Sequence, residues 1–342
     1  MKLSAVVVNY RAATRVAKLV ELLRHQAREL PGALEIVLVD HSEEEAEAAR
    51  LRAFSADRLL VGENLGYAAG VNRGVAAASG ELLIVANPDV EPQPGALRHL
   101  LEASTTYPIV GPLFLLGELL YPPTEGHLLR DEWARLLAHY SQAWQKRVFR
   151  RELARCLATW SAAEPVPSVF LSGALMAFTR QAWQQLGPWD ESYFLYYEET
   201  DWLLRAFRQA LPAAQVPRAR VAHAWGASAN PGSSASYLMA SRRCYLRKNF
   251  GPLGRLLARL PLRARAFPLR RVPRELMVKG QVLWLVSPTP LGVPAFGFFG
   301  DGAFPEQVLR RSFAFERHPS TFFVAAVSLA SDQLLGPWRW DA

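Results

Sequence analysis

Residues 3–9 read LSAVVVN, residues 35–40 EIVLVD and residues 82–86 LLIVA. Each is a continuous apolar run rich in β-branched side chains, and each is followed or ended by a polar group. Strands covered on both faces look like this, because no position has to face water. Helical patterns lie between them. Thr14 is placed to cap a helix whose apolar positions Val16, Leu19, Val20, Leu23 and Ala27 recur at three and four, and Pro31-Gly32 ends it. Glu43, Glu44, Glu45 and Glu47 open a second helix, where carboxylates suit the positive end of the dipole. Arg58–Val61 reads as a short strand, and Tyr67–Ala78 as a third helix closed by Ser79-Gly80. The alternation predicts right-handed crossovers and a mostly parallel α/β sheet with helices on both faces.

In such sheets ligands sit at the carboxyl ends of the strands. Those ends carry Asn9-Tyr10-Arg11, Asp40-His41-Ser42 and Asn87-Pro88-Asp89. One carboxylate at a strand end is often a helix cap; three polar clusters in register point to a ligand. The segment from Asn64 to Gly74 adds Gly66, Gly70 and Gly74, small residues that let backbone amides approach a ligand beside a helix N-terminus. It has neither the lysine of a nucleotide P-loop nor a convincing G-x-G-x-x-G.

The chain has 342 residues, half of them hydrophobic and a fifth charged, which supports one large or two small packed domains and excludes wholesale disorder. Two cysteines are too few for a disulfide framework, so a reducing compartment is expected. The N-terminus reads as a strand rather than a signal peptide. The long charge-free run Gly280–Gly300 contains Pro288, Pro290 and Pro294 and does not read as a spanning helix. The net charge of +8 is uneven: Ser241–Gly280 holds twelve Lys or Arg against Glu275 alone, so this segment carries +11 and the rest −3. An anionic membrane surface and a solvated helix face are the two leading readings of that segment. Nucleic acid is not expected, since no nucleic-acid motif accompanies the charge.

Taken together, VVVNY (6–10), IVLVDHS (36–42), ENLGYAAGVNRG (63–74) and LLIVANPDV (82–90) resemble the family 2 glycosyltransferases, in particular their rhamnosyltransferase-like branch. The resemblance continues in the same order through FLSGALMAFTRQAW (170–183), GPWDESYFLYYEETDWLLRA (187–206) and PRARVAHAWGASA (217–229), covering roughly residues 3–250. It implies a GT-A fold, a nucleotide-sugar donor, Mg2+ or Mn2+, and inversion at the anomeric carbon. By the same resemblance Asp89, in Asn87-Pro88-Asp89, is the expected metal ligand and His223 completes the metal or diphosphate site. Asp40 is expected at the nucleobase or ribose, with Asn9, Tyr10, Arg11, Ser42, Asn64, Gly66, Gly70, Asn72 and Asn87 around the donor. Ser172-Gly173 is expected on the sugar and acceptor side, and Asp190 at the donor sugar or as a turn cap. Glu199 falls on the position of the catalytic base, with Glu where the family has Asp, and Asp201 and Glu198 stand as alternates. On a regular helix Glu198, Asp201, Trp202 and Arg205 share one face and Glu199 points away from it.

The chemistry gives these residue types a reason. A departing diphosphate leaves an oxocarbenium-like sugar, the diphosphate charge calls for a hard cation on oxygen ligands, and a carboxylate takes the acceptor proton. The expected organisation is a GT-A domain over residues 1–250, with a helical insertion at 122–167 on the acceptor side, and a basic, largely helical extension over 251–342. Leu129, Trp133, Leu136, Tyr140, Trp144 and Val148 mark an amphipathic helix in the insertion. Phe322–Leu329 reads as a short buried helix or a bilayer-docking segment. The expected partners are a nucleotide-sugar donor (dTDP-, UDP- or GDP-linked), a saccharide or lipid-linked acceptor of surface polysaccharide or glycolipid synthesis, and an anionic membrane surface. The expected location is cytoplasmic, peripheral on the inner face of the plasma membrane. The competing class is a catalytically inactive scaffold, motivated by the altered Asp40-His41 and Glu198-Glu199 pairs. A nucleotidyltransferase is poorly supported by Arg11 alone.

Overall fold

The computed structural model describes residues 2–54, 56–224, 231–260, 269–273, 275–289, 292–313, 321–331 and 333–341. The chain begins β1 (Leu3–Asn9), α1 (Ala13–Ala27), β2 (Leu34–Asp40), α2 (Glu45–Arg52), β3 (Arg58–Val61), α3 (Tyr67–Ala77), β4 (Leu82–Ala86), β5 (Val90–Pro92), α4 (Ala96–Ala103) and β6 (Ile109–Leu116). It continues through β7 (Leu119–Leu120), α5 (Leu129–Tyr140), α6 (Gln142–Trp160), β8 (Val166–Pro167), β9 (Leu175–Thr179), α7 (Arg180–Leu186), α8 (Glu198–Arg208), β10 (Ala213–His223), α9 (Pro231–Asn249) and α10 (Gly251–Leu257). It ends with β11 (Val282–Ser287), β12 (Phe296–Gly300), α11 (Glu306–Ser312), β13 (Thr321–Ser328) and β14 (Leu334–Asp341). Two compact units result: residues 1–113 with 162–259, and residues 114–161 with 260–342.

In the first unit the strand order is β6-β9-β4-β1-β2-β3. The apolar runs account for its centre: β1, β2 and β4 are buried along their whole length. β1 pairs in parallel with β2 and β4, and β2 with β3. The register sets Asn9 opposite Asp40 and Val7 opposite Ala86, so the carboxyl ends of the parallel strands share one edge. β9 enters antiparallel beside β4, with Leu175 opposite Ala86, which delivers Ser172-Gly173-Ala174 to that same edge.

Helix α3 lies close on β1 and β2 because Gly70 and Gly74 carry no side chain. A Cβ at Gly74 would stand 2.2 Å from Val6 Cγ1, and one at Gly70 would stand 2.7 Å from Val8 Cγ1 and 3.0 Å from His41 Cε1. Gly70 therefore packs closely under the strand tips. Gly74→Ala is expected to cost about 1–3 kcal/mol through overpacking, read as a lowered midpoint in denaturant with an unchanged slope.

The first turn of α1 also differs from its sequence reading. The N-cap is Ala12, not Thr14. The free amides are met from outside the helix: Asn9 Oδ1 accepts from Ala12 N at 3.1 Å and Glu47 Oε1 accepts from Ala13 N at 2.6 Å.

The second unit corrects the expected helical tail. β11 pairs antiparallel with β12 and β13, and β13 with β14, so described residues beyond 281 are mainly strands. Phe322–Leu329 falls on β13 and its following turn rather than on a helix. Trp284 and Phe322 are among its fully buried large side chains, and a core of aromatic and β-branched residues favours strands. The insertion forms two helices instead of one, broken at Ser141, whose backbone is extended. It groups with the tail: Trp160 Nε1 donates to Tyr121 O at 2.8 Å, Tyr121 meets Phe296 edge-on, and Gly297 leaves room for the Trp160 ring. A cavity of about 240 Å3 lies in this unit between α5 and α6. Its carboxylates are engaged by arginines, Arg151 with Asp131 at 2.7 Å and Arg135 with Glu125 at 3.5 Å.

Candidate active site

The tips of β1 and β2 are locked by a buried polar network. Asp40 Oδ1 accepts from Asn9 Nδ2 at 2.9 Å, Ser42 Oγ at 2.6 Å and Ser42 N at 3.1 Å. Asn9 Nδ2 also reaches Ser42 Oγ and Glu47 Oε1, and Arg11 N donates to Ser42 Oγ. Asn9 and Ser42, expected at the donor, are spent on this network and are buried with Asp40. They position that carboxylate. Asp40 Oδ2 is buried with no hydrogen-bond partner among the described residues, and the same holds for His41 Nε2. A buried carboxylate oxygen without a partner is costly to keep and marks a place for a ligand donor. Burial and then Arg73 lower the pKa of His41, so its imidazole is neutral at pH 7. Tyr10 and Arg11 stand exposed at the rim, the guanidinium 5.1 Å from the Tyr10 ring centre and paired with Glu44.

Tyr67 joins the other half of the site together. It opens α3 directly after Gly66, whose φ of +96° suits glycine and whose absent Cβ leaves room for the Phe194 backbone. Tyr67 N donates to Phe194 O at 2.9 Å and its hydroxyl to Gly173 O at 3.0 Å. Burial drives the phenol far above its ordinary value, and the charges of Glu198, Glu199 and Asp89 add to this. All three carboxylates thus act on one neutral hydroxyl. Asp89 follows β4, and β5 pairs with the end of β10 to bring His223 beside it, Nε2 to Oδ1 3.6 Å. Asn87 N donates to Ala174 O at 2.8 Å, and Ser172 Oγ accepts from Ala174 N at 3.2 Å, which ties this loop to the segment that carries Asp89.

Glu198 and Glu199 begin α8 after two consecutive left-handed residues, Tyr196 (φ 70°) and Tyr197 (φ 71°). Non-glycine residues held there cost about 1–3 kcal/mol each and persist where the surroundings fix them. The turn aims both carboxylates inward, and each keeps one buried oxygen, Oε2, without a hydrogen-bond partner among the described residues. Burial raises both pKa values. The neighbouring charge of Glu199 pushes Glu198 further, while the amides of Glu199, Gly173 and Thr200 hold Glu199 back. Gly173 is a cradle: a Cβ there would lie 3.3 Å from Glu199 Cγ.

Asp201 belongs to a different cluster. It is fully buried and takes hydrogen bonds from Lys248 Nζ (2.9 Å), Asn249 Nδ2 (2.8 Å) and Tyr193 Oη (3.2 Å), with Arg205 Nε at 3.6 Å. Three donors thus tie Asp201 to α9 and to Tyr193, which anchors this part of the fold. Lys248 also holds Asp190 Oδ2 at 2.5 Å. Burial opposes ionisation of Asp190, but Lys248 and the Ser192 amide outweigh it and bring its pKa down to about 2. Asn72 pins the same segment, donating to Trp189 O and Glu191 Oε1 and accepting from Trp189 N. Asn64 Oδ1 accepts from Gly66 N at 3.2 Å, shaping the turn into α3. Asn64, Asn72 and Asp190 thus hold the frame around the site.

Lys248→Met is expected to cost about 1–3 kcal/mol, since the side chain is partly exposed and Asp201 keeps other donors. Asp190 adds stability above its ordinary value of 3.8 and loses it as pH falls toward about 2. The stability gap between wild type and variant, measured by urea unfolding, is therefore expected at neutral pH and to narrow below about pH 4.

The sheet, parallel at its centre and flanked by helices, is an α/β fold with carboxylates at the tips of its parallel strands. Residues 4–115 match the model of Glycosyl transferase family 2. The N-acetylglucosaminyl-diphospho-decaprenol L-rhamnosyltransferase of Mycobacterium tuberculosis is 31% identical over 210 residues, 55% of this chain and 66% of the relative. A low-salt glycan biosynthesis hexosyltransferase of Haloferax volcanii is 28% identical over 227 residues, 62% of this chain and 64% of the relative. The chain thus spans just under two thirds of the length of these curated relatives. In fold it matches a solved structure of GalNAc-T7 with UDP, GalNAc and Mn2+, at TM-score 0.50, 16% identity, 77% of this chain and 52% of that one. Residues 4–115 thus form a family 2 glycosyltransferase domain, and the curated relatives of the chain are a rhamnosyltransferase and a hexosyltransferase.

Proposed function

We propose that this chain transfers a sugar, with inversion, from a nucleotide-diphosphate sugar (dTDP-, UDP- or GDP-linked) to a hydroxyl of a saccharide or lipid-linked acceptor. The observation that carries this reading is the placing of Asp89 beside His223 after β4, and of Glu199 against Gly173 in the loop that the Tyr67 hydroxyl holds, at the carboxyl edge of the sheet. Asp40, held by Asn9 and Ser42, offers its second oxygen to a donor group of the nucleobase or ribose.

Asp89 and His223 are the residues that would hold a divalent cation. One carboxylate and one imidazole 3.6 Å apart suit Mn2+ and suit Mg2+ less well. Among the described residues no group of three or more His, Cys, Asp or Glu is placed to hold a metal. The pair therefore fits a cation that takes its remaining ligands from diphosphate oxygens and water. When bound, such an ion supplies positive charge for the leaving diphosphate.

Glu199 is the base. In the reaction the acceptor oxygen bonds to the anomeric carbon, the bond from that carbon to the β-phosphate oxygen breaks, and the acceptor proton passes to a Glu199 carboxylate oxygen. Gly173 and the backbone amides at 173, 199 and 200 hold that carboxylate in place. Glu198, desolvated and close to the charge of Glu199, takes up a proton more readily than an ordinary carboxylate. The neutral Tyr67 hydroxyl keeps the Gly173 carbonyl, and with it the cradle, in position.

The acid limb of kcat/KM is accordingly expected above the ordinary carboxylate range, and Glu198→Gln is expected to leave it in place, because Glu199 loses its proton while Glu198 is still neutral. A limb that moves to lower pH in the variant contradicts the assignment of Glu199 as the group that ionises first. The reading as a whole is tested by thermal shift with UDP-, GDP- and dTDP-sugars, each with and without Mn2+. At least one donor is expected to raise Tm in a Mn2+-dependent way. Stabilisation by none of them favours the inactive scaffold.

A further inference from the structure

Helices α9 and α10 contain no Asp or Glu between Pro231 and Arg259, against six Lys or Arg. Two of the six turn inward: Arg242 is buried and Lys248 is engaged by Asp190 and Asp201. The other four, Arg243, Arg247, Arg255 and Arg259, are exposed. On α10 the inner face is Gly254 and Leu257, with Gly254 backed directly on the Leu246 carbonyl of α9. Its outer face presents Leu253 and Leu256, 50% and 48% exposed, interleaved with Arg255 and Arg259. Leu238 and Met239 are exposed on α9 as well.

Two leucines left in water among arginines, with no acidic residue on either helix, form the pattern of a helix that lies in a lipid interface. The charge is complementary to anionic headgroups, and the arginine stems can reach outward while the leucines sink. No described helix is long and apolar enough to cross a membrane, so a contact here is peripheral. A nucleic-acid groove is the weaker match, because the exposed residues beside the arginines are aliphatic rather than stacking rings.

We propose that the outer face of α9 and α10 docks on an anionic lipid surface, with Leu253 and Leu256 entering the boundary between headgroups and acyl chains. This surface is separate from the carboxylates of the reaction proposed above, and its test is independent of turnover.

The full chain is spun down with vesicles of phosphatidylcholine alone or of phosphatidylcholine with phosphatidylglycerol. Two paired variants are compared: Arg255→Glu with Arg259→Glu, and Leu253→Ser with Leu256→Ser. Wild type is expected to pellet with the anionic vesicles only and to be released by salt. The arginine pair is expected to lose about tenfold or more in partitioning, and the leucine pair to lose binding that salt does not restore. All positions are exposed, and circular dichroism checks the fold of each variant. No pelleting of wild type, equal pelleting on both vesicle types, or a leucine pair that binds like wild type each overturn the proposal. The last outcome would leave an electrostatic surface suited to an acidic protein.

Discussion

Glu199→Gln is expected to lower kcat by about 10²–10⁴-fold, the usual contribution of a positioned general base. The substitution keeps the shape of the side chain and removes only its charge and its ability to take a proton. Two further readouts separate this from damage to the fold. The variant is expected to bind the donor as wild type does, because in the proposed reaction Glu199 meets the acceptor hydroxyl and not the diphosphate. It is also expected to be as stable as wild type or more so near pH 7. Glu199 is partly buried, with its Oε2 out of contact with water, and its pKa is raised, so the native state binds the extra proton more readily than the unfolded chain does. Stability contributed by protonation is full below the unfolded value and is lost as pH rises through the native one, and Gln removes that loss. A rate collapse without a fall in Tm is thus the signature of the assigned role. A rate within a few-fold of wild type would move the base to Glu198.

Asp89→Asn is expected to lower turnover by at least about 10²–10³-fold, the usual cost of removing one fixed electrostatic stabiliser from a transition state. It is also expected to abolish the Mn2+-dependent stabilisation by donor. Asp89 is buried, follows β4 at the sheet edge and lies against His223. Its substitution leaves the packing of β4 untouched, since that strand is buried on its own apolar side chains. His223→Ala is expected to act in the same direction with a smaller effect, because a carboxylate carries the charge and the imidazole does not. Equal donor stabilisation of wild type and Asp89→Asn, with and without Mn2+, would place the diphosphate elsewhere.

The sheet of the first unit was legible because buried parallel strands leave a continuous apolar signature, and Leu3–Asn9, Leu34–Asp40 and Leu82–Ala86 all carry it. Their polar ends followed from the same pattern. What lay outside the pattern was the division of labour among polar residues. Asn9 and Ser42 look like ligand contacts in a string of letters, yet both are consumed by Asp40. Asp201 looks like a third carboxylate of the site, yet Lys248 and Asn249, 47 and 48 positions away, take its oxygens.

Lys248 was hidden inside a basic run that reads as surface. The available signal was its spacing from Tyr245, since a residue three positions after a buried aromatic on a helix shares its face. Tyr67 was missed because an aromatic at the start of a helix reads as core. Only the neighbouring Gly66, needed for a positive φ, marked the turn that delivers it. The tail misled for a different reason: β11, β12, β13 and β14 pair antiparallel across long loops, and proline and arginine between them obscure a period of two.

The most direct measurement is a crystal structure of the protein with Mn2+ and a non-hydrolysable analogue of the donor that thermal shift selects. The account predicts a cation on Asp89 and His223, the diphosphate on that cation, the nucleoside against Asp40 Oδ2, and the anomeric carbon facing Glu199. A donor bound away from the carboxyl edge of the sheet, or held there with Asp89 and Glu199 both out of reach, would contradict it.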